Sequence, residues 1–166
     1  MNLIRLALAK IFPHLDKILS LDNDTFVLSD ISNLWDIDLS NYYAAGVRDT
    51  AELNAHGLYI NAGVVLYNLD KIRNDKIDDK LLQKVHERKR DYPTQDPLNE
   101  IISSKVYELP SQYNSCPAFM NYDPLEAKII HFAGDRHYLE NPLTQLYKNL
   151  KLGDKYYENS SIHGNT

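Results

Sequence analysis

The segment "LYINAGVVLYNL", residues 58–69, constrains the fold more than any other part of the chain. At its centre Val64, Val65 and Leu66 are apolar at consecutive positions, the pattern of a strand buried on both faces rather than one with a wet side. Such a strand needs a layer packed on each side, so the flanking segments must supply helices and further strands. Ile4, Ala7, Leu8 and Ile11 recur at i, i+3, i+4 and i+7, which predicts an amphipathic helix that Pro13 ends. Residues 17–21 and 26–28 read as short strands. "ISNLWDIDL" reads as a turn or short helix that Trp35 anchors by burial, and "YYAAGVRD" as another strand. Ile77, Leu81, Leu82 and Val85 predict a second amphipathic helix, and "QDPLNEII" a third. "KVYELP" and "AKIIHFAG" read as strands, the latter ending in His131, and "PLTQLYKNL" as a last helix. Strands alternating with helices give an α/β fold. From Tyr156 onward the chain is polar and is expected to fray.

The 166 residues are 43% hydrophobic and 25% charged, enough for one globular domain with a substantial core and no compositional case for disorder. A net charge of −5 argues against a general nucleic-acid binder, because phosphate neutralisation needs clustered Lys and Arg. The basic cluster "HERKR", 86–90, reads as the solvated end of a helix, where cations suit the helix dipole. The single cysteine, Cys116, has no internal partner for a disulfide, which fits a reducing compartment. No apolar run approaches the roughly 18 residues of a membrane span, and "MNLIRLALAKIF" lacks the cleavage region of a signal peptide. A soluble, cytoplasmic chain is the expectation.

Between the first two strands stands "DND", Asp22 to Asp24. One reading is a plain turn, since Asp and Asn hydrogen-bond their own backbone. The other is chemical. In extended chain, residues i and i+2 share a side, so Asp22 and Asp24 would present their carboxylates together while Asn23 points away. At the carboxyl end of a strand in an open α/β sheet, such a pair suits a hard divalent cation shared with substrate phosphate oxygens. His131, closing a later strand, is the candidate third ligand, and a buried hydrogen-bonded histidine is the alternative. An imidazole beside two carboxylates leans toward Mn²⁺ over Mg²⁺.

The segment from Arg5 to Asp49, then "YINAGVVLYNL", "QDPLN", "VYELPSQYN" and "IIHFAG", in this order, resembles glycosyltransferase family 8, which includes lipopolysaccharide galactosyl- and glucosyltransferases and glycogenin. The resemblance implies a GT-A fold, a mixed sheet flanked by helices, with a UDP-hexose donor (glucose or galactose), a saccharide or lipopolysaccharide acceptor, Mn²⁺ with Mg²⁺ as the alternative, and retention at the anomeric carbon. It implies that Asp22, Asp24 and His131 hold the metal and that Arg5, Asn23, Asn61, Ala62, Gly63 and Gly134 line the donor. It places Gln95 and Asp96 near the anomeric carbon as the catalytic pair. Thr94 stands where the family commonly has an acid, which leaves the choice of sugar open. After Gly134 the chain reads "DRHY" where a lysine and Pro-Trp are usual, so Arg136 or His137 would have to substitute.

The resemblance also implies that a first nucleotide-binding βαβ portion precedes Met1 in the family. Residues 1–155 are therefore expected to form a partial catalytic domain and 156–166 a tail. An exposed sheet edge would favour self-association, and lysine-bearing segments near the carboxyl end would allow peripheral contact with the inner membrane face. Two rival readings stand beside this one. A catalytically inactive fragment would keep the metal site without turnover. A haloacid-dehalogenase-like phosphatase would also use Asp-x-Asp, but it wants Thr or Val where Phe26 stands.

Overall fold

The computed structural model describes residues 3–49, 58–85, 92–117 and 125–134, together with Glu140, Pro142 and Gln145. The chain divides into two compact units, Met1–Ala133 and Gly134–Thr166. The first carries almost all the described residues. In the second, Gly134 has a φ of 76°, the left-handed region that glycine adopts without strain. The last helix, most of "PLTQLYKNL", and the tail 156–166 lie outside the described residues.

Among the described residues of the first unit, six strands and five α-helices follow one another: α1 (Leu8–Ile11), β1 (Lys17–Leu21), β2 (Thr25–Val27), α2 (Ser32–Trp35), β3 (Ala44–Arg48), β4 (Ile60–Asn68), α3 (Leu69–Asn74), α4 (Ile77–Val85), α5 (Gln95–Ile102), β5 (Val106–Leu109) and β6 (Ile129–His131). The main sheet has the order β1-β4-β3-β5. β4 runs antiparallel to both β1 and β3, while β3 and β5 are parallel. A second sheet pairs β2 with β6, Thr25 opposite His131.

β4 is the axis that its apolar run predicts, with Val64, Val65 and Leu66 fully buried. Its side chains feed two separate cores. Val65 and Tyr67 join Leu6, Leu69, Ile72, Leu81 and Leu98 on the helical face, while Val64 and Leu66 join Leu34, Leu39, Leu109 and Ile129 on the other. Burying each of these aliphatic side chains contributes about 1.5–3 kcal/mol. Strict alternation would then send Ile60 and Ala62 to the second core, yet both lie in the first. The register explains this. Gly46 pairs with Val65 but Arg48 pairs with Ile60, so extra β4 residues bulge out around Asn61, Ala62 and Gly63 and reverse the parity of the strand.

Some sequence expectations need correction. The amino-terminal segment is helical but not one continuous helix: a 3-10 turn over Leu3–Leu6 precedes α1. Its tighter winding breaks the 3.6-residue phase, so Ile4 and Ile11 are 61% and 47% exposed while Arg5, Leu6, Leu8 and Ala9 face inward. Trp35 does not anchor α2 by burial; it is 48% exposed and Leu34 is fully buried. In a one-turn helix, adjacent positions point about 100° apart, so only one of the two faces the core. The Trp35 ring instead lies under Lys17 Nζ, 5.5 Å from its centroid, and Lys17 also donates to the Trp35 carbonyl at 3.0 Å. α3 was not anticipated. It forms because Asn68 caps it, its Oδ1 accepting from Lys71 N–H at 2.9 Å. Among the described residues, no helix is long and apolar enough to cross a membrane.

Candidate metal and donor site

β1 extends one rung beyond Leu21, because Asp22 N–H donates to the Gly63 carbonyl at 2.8 Å. The chain then turns. Thr25 returns both its N–H (3.2 Å) and its hydroxyl (2.7 Å) to the Asp22 carbonyl, and Phe132 N–H binds the Asp24 carbonyl at 3.0 Å. Asp22 and Asp24 therefore converge through a turn and not, as expected, through alternation in extended chain. Asn23, between them, is exposed. The pairing of β2 with β6 delivers His131 to the same turn. Its Nε2 lies 3.4 Å from Asp24 Oδ1 and 3.8 Å from Asp22 Oδ2, and the three residues offer ligand atoms all within 4.8 Å of one another. The imidazole is 3% exposed. With the His131 ring charged and Nε2–H donating, the hydrogen bond to His131 is the main cause holding the Asp24 carboxyl below its ordinary range; burial opposes it, while the charges of His131 and Arg5 assist it.

Gly63 makes room for this arrangement. A Cβ there would fall on the His131 ring, 2.8 Å from Nε2 and nearer still to Cε1 and Nδ1. Two carboxylates and an imidazole nitrogen, with a cradle shaped to the ring, fit a divalent ion with coordination positions to spare. Arg5 is buried beneath them. Its guanidinium donates to Asp22 Oδ1 and to the Ala62 carbonyl, which leaves Asp22 Oδ2 on the side of His131.

The β4 bulge takes side-chain partners for backbone groups that the ladder would otherwise bond. Gln95, the first residue of α5 and 9% exposed, accepts from Ala62 N–H at 2.8 Å and donates to Asp49 Oδ2 at 2.9 Å. Asn99, one turn on, bonds both the N–H and the carbonyl of Ile60 at 2.7 and 2.8 Å. Asn61 turns back on its own strand, its Oδ1 accepting from Gly63 N–H at 2.9 Å, while its Nδ2 donates to Asp49 Oδ2 at 3.1 Å. Asp96 accepts from the Tyr59 hydroxyl at 2.6 Å and from Tyr92 N–H at 3.2 Å. Thr94, preceding α5, makes no side-chain cap bond.

Arg5, Asp22, Asp24, Asn61, Ala62, Gly63, Gln95 and His131 are thus joined by direct contacts, whereas Asp96 is tied to Tyr59 and Tyr92. Arg136 and His137 lie outside the described residues, and Gly134 belongs to the second unit. Sequence reasoning missed Asp49 and Asn114. Asp49 closes "YYAAGVRD" directly after β3, a polar end that could have signalled a site; Asn114 closes "VYELPSQYN", a motif that drew no role for its last residue. A separate open cavity, lined by Asp16, Asp36, Asp38 and Asp70 among others, includes none of these site residues.

The profile of Glycosyl transferase family 8 matches residues 1–136. A Haemophilus influenzae protein is 34% identical over 126 residues, spanning 68% of this chain and 38% of its own. The lipopolysaccharide 1,2-glucosyltransferase of Escherichia coli K12 is 31% identical over 114 residues, 61% of this chain and 34% of that enzyme. Among solved structures, the galactosyltransferase LgtC in complex with donor and acceptor sugar analogues superposes with a TM-score of 0.69 at 28% identity, covering 81% of this chain and 58% of LgtC. The chain thus spans well under half the length of the Haemophilus influenzae and Escherichia coli relatives. Its mixed sheet is that of the GT-A glycosyltransferases, and by the extent of the profile match the chain belongs to glycosyltransferase family 8.

Proposed function

We propose that this chain carries the metal- and donor-binding centre of a Mn²⁺-dependent, retaining hexosyltransferase that uses a UDP-sugar, glucose or galactose, and a saccharide or lipopolysaccharide acceptor. The observation that carries the reading is the convergence of Asp22, Asp24 and His131 from two sheets onto one point. The glucosyltransferase and galactosyltransferase relatives agree on hexosyl transfer and differ in the sugar, which is why both donors stand in the reading.

Asp22, Asp24 and His131 would hold a divalent ion, which when bound would supply Lewis-acid stabilisation of negative charge developing on the departing diphosphate. The imidazole favours Mn²⁺ over Mg²⁺. Arg5 donates to Asp22 Oδ1, which leaves Oδ2 on the His131 side as a ligand atom. The bulged Asn61-Ala62-Gly63 backbone lies along the sugar, and Gln95 keeps it there by bonding Ala62 N–H. An amide already engaged at both ends is a poor nucleophile. We therefore favour attack by the acceptor hydroxyl on the face the diphosphate leaves, with a phosphate oxygen accepting its proton. Tyr59 orients the Asp96 carboxylate beside the same strand.

The test is a Mn²⁺ titration by calorimetry followed by assays with UDP-glucose and UDP-galactose. Asp24→Ala and His131→Ala should each weaken Mn²⁺ binding by at least about 100-fold, since each removes a ligand. Asp38→Ala should leave it unchanged, because that exposed carboxylate closes a turn by accepting from the N–H and hydroxyl of Ser40. Equal Mn²⁺ affinity in all three variants would overturn the reading. Mn²⁺ binding with neither hydrolysis nor transfer of either donor would instead identify an inactive fragment.

A further inference from the structure

A chain of amides leads away from His131. Its Nδ1 lies 3.0 Å from Asn114 Oδ1, Asn114 Nδ2 donates to Asn61 Oδ1 at 3.0 Å, and Asn61 Nδ2 donates to Asp49 Oδ2 at 3.1 Å. Which end of each amide faces which neighbour is determined by the chemistry of the two ends of this chain. A carboxylate only accepts, so Asn61 must turn its NH₂ to Asp49; Gly63 N–H only donates, so it must meet the Asn61 oxygen. These two anchors agree. The Asn61 oxygen then requires the NH₂ of Asn114, and this leaves the Asn114 oxygen facing the ring. A neutral imidazole meeting an acceptor at Nδ1 carries its proton there, and its lone pair is left on Nε2.

We infer that Asn114, oriented by Asn61 and Asp49, is a positioning residue that holds His131 in the Nδ1–H tautomer, so that Nε2 meets Asp22 and Asp24 as a ligand. A neutral histidine in water prefers its proton on Nε2, the form that would direct a proton at the carboxylates and exclude a cation. Asn114 can do this because its backbone neighbour is stitched to β6: Ser115 N–H donates to the Ile129 carbonyl and His131 N–H to the Ser115 carbonyl, each at 2.9 Å. The ring and its partner are thus carried on adjacent, hydrogen-bonded segments. The inference rests on the proposed metal centre for its purpose, but not for its geometry.

The experiment is nitrogen-15 NMR of histidine-labelled, metal-free protein at a pH where the ring is neutral, with the His131 resonances assigned by their loss in His131→Gln. The expected result is a protonated Nδ1 and an unprotonated Nε2. Asn114→Leu should release the ring toward Nε2–H and weaken Mn²⁺ binding by about 10–100-fold, the usual effect of removing a ligand's hydrogen-bond partner. Asn114→Asp, which still accepts from Nδ1–H, should keep the wild-type tautomer; a purely structural role would let both substitutions act alike. A wild-type proton on Nε2, or an Asn114→Leu variant with unchanged tautomer and Mn²⁺ affinity, would overturn the inference. A protonated Nδ1 in a wild-type protein that fails to bind Mn²⁺ would uphold the relay and overturn the metal reading alone.

Discussion

Gly63→Ala puts one methyl group where the His131 ring must sit. The glycine does not occupy the left-handed region, so alanine is admissible to the backbone and the effect is steric. The added Cβ would stand 2.8 Å from Nε2 and closer to Cε1 and Nδ1. Ordinary carbon contacts need about 3.5–4.0 Å, and clearing the nearest ring atom to that distance makes the ring retreat by roughly 1.5–2 Å. Metal–ligand bonds tolerate only about 0.2 Å, and a retreat of that size removes Nε2 from the ligand set. The expected outcome is Mn²⁺ binding weakened by at least about 100-fold, or ~2.7 kcal/mol, measured by calorimetry. Forcing a methyl into a packed site should also cost about 1–3 kcal/mol of folding stability. His131→Ala empties the space, so the Gly63→Ala/His131→Ala double variant should be less destabilised than the sum of the single changes by most of that amount. Wild-type Mn²⁺ affinity in Gly63→Ala, or strict additivity in thermal melts, would refute the steric argument.

Two further outcomes follow from packing and charge. Leu34→Ala should destabilise the fold by about 2–5 kcal/mol, as for a fully buried leucine, whereas Trp35→Ala should cost about 1 kcal/mol or less, since only an exposed cation–π contact is lost; denaturant melts of the two variants distinguish the buried side chain from the exposed one. Hydrogen bonding to His131 lowers the Asp24 pKa from 3.8, so its contribution to stability is complete above pH 3.8 and is lost as pH falls through the lower folded value. Metal-free thermal melts taken downward from pH 4 should therefore show a shallower acid limb in Asp24→Asn than in wild type, and parallel limbs would contradict the assignment.

How much of the site could be read in the chain depends on how local each signal is. β1 and β4, and the helices α4 and α5, were legible because their periodicity or apolar run is complete within a few residues. Leu34 against Trp35 was not: both are apolar, and a one-turn helix shows no repeat from which to choose. The expected alternation of Asp22 and Asp24 failed for a related reason, since the carboxylates converge through a turn that Thr25 closes. Asn114 and Asp49 each close a motif-bearing segment, but nothing local assigns either of them a role. Their roles exist only once hydrogen bonds assign a direction to each amide between a carboxylate and a backbone N–H.

The amino-acid sequence by itself determined the α/β class, the doubly buried central strand, the family and the residue types of the candidate metal set, because these are written in local pattern and in ordered motifs. The tertiary structure decided what those motifs could not: the bulge that reverses the parity of β4, the glycine that admits the ring, and the meeting of a β6 histidine with a turn after β1. Parity, clearance and convergence are relations between segments distant in the chain, and they are set by strand pairing and close packing, which no local stretch of sequence contains.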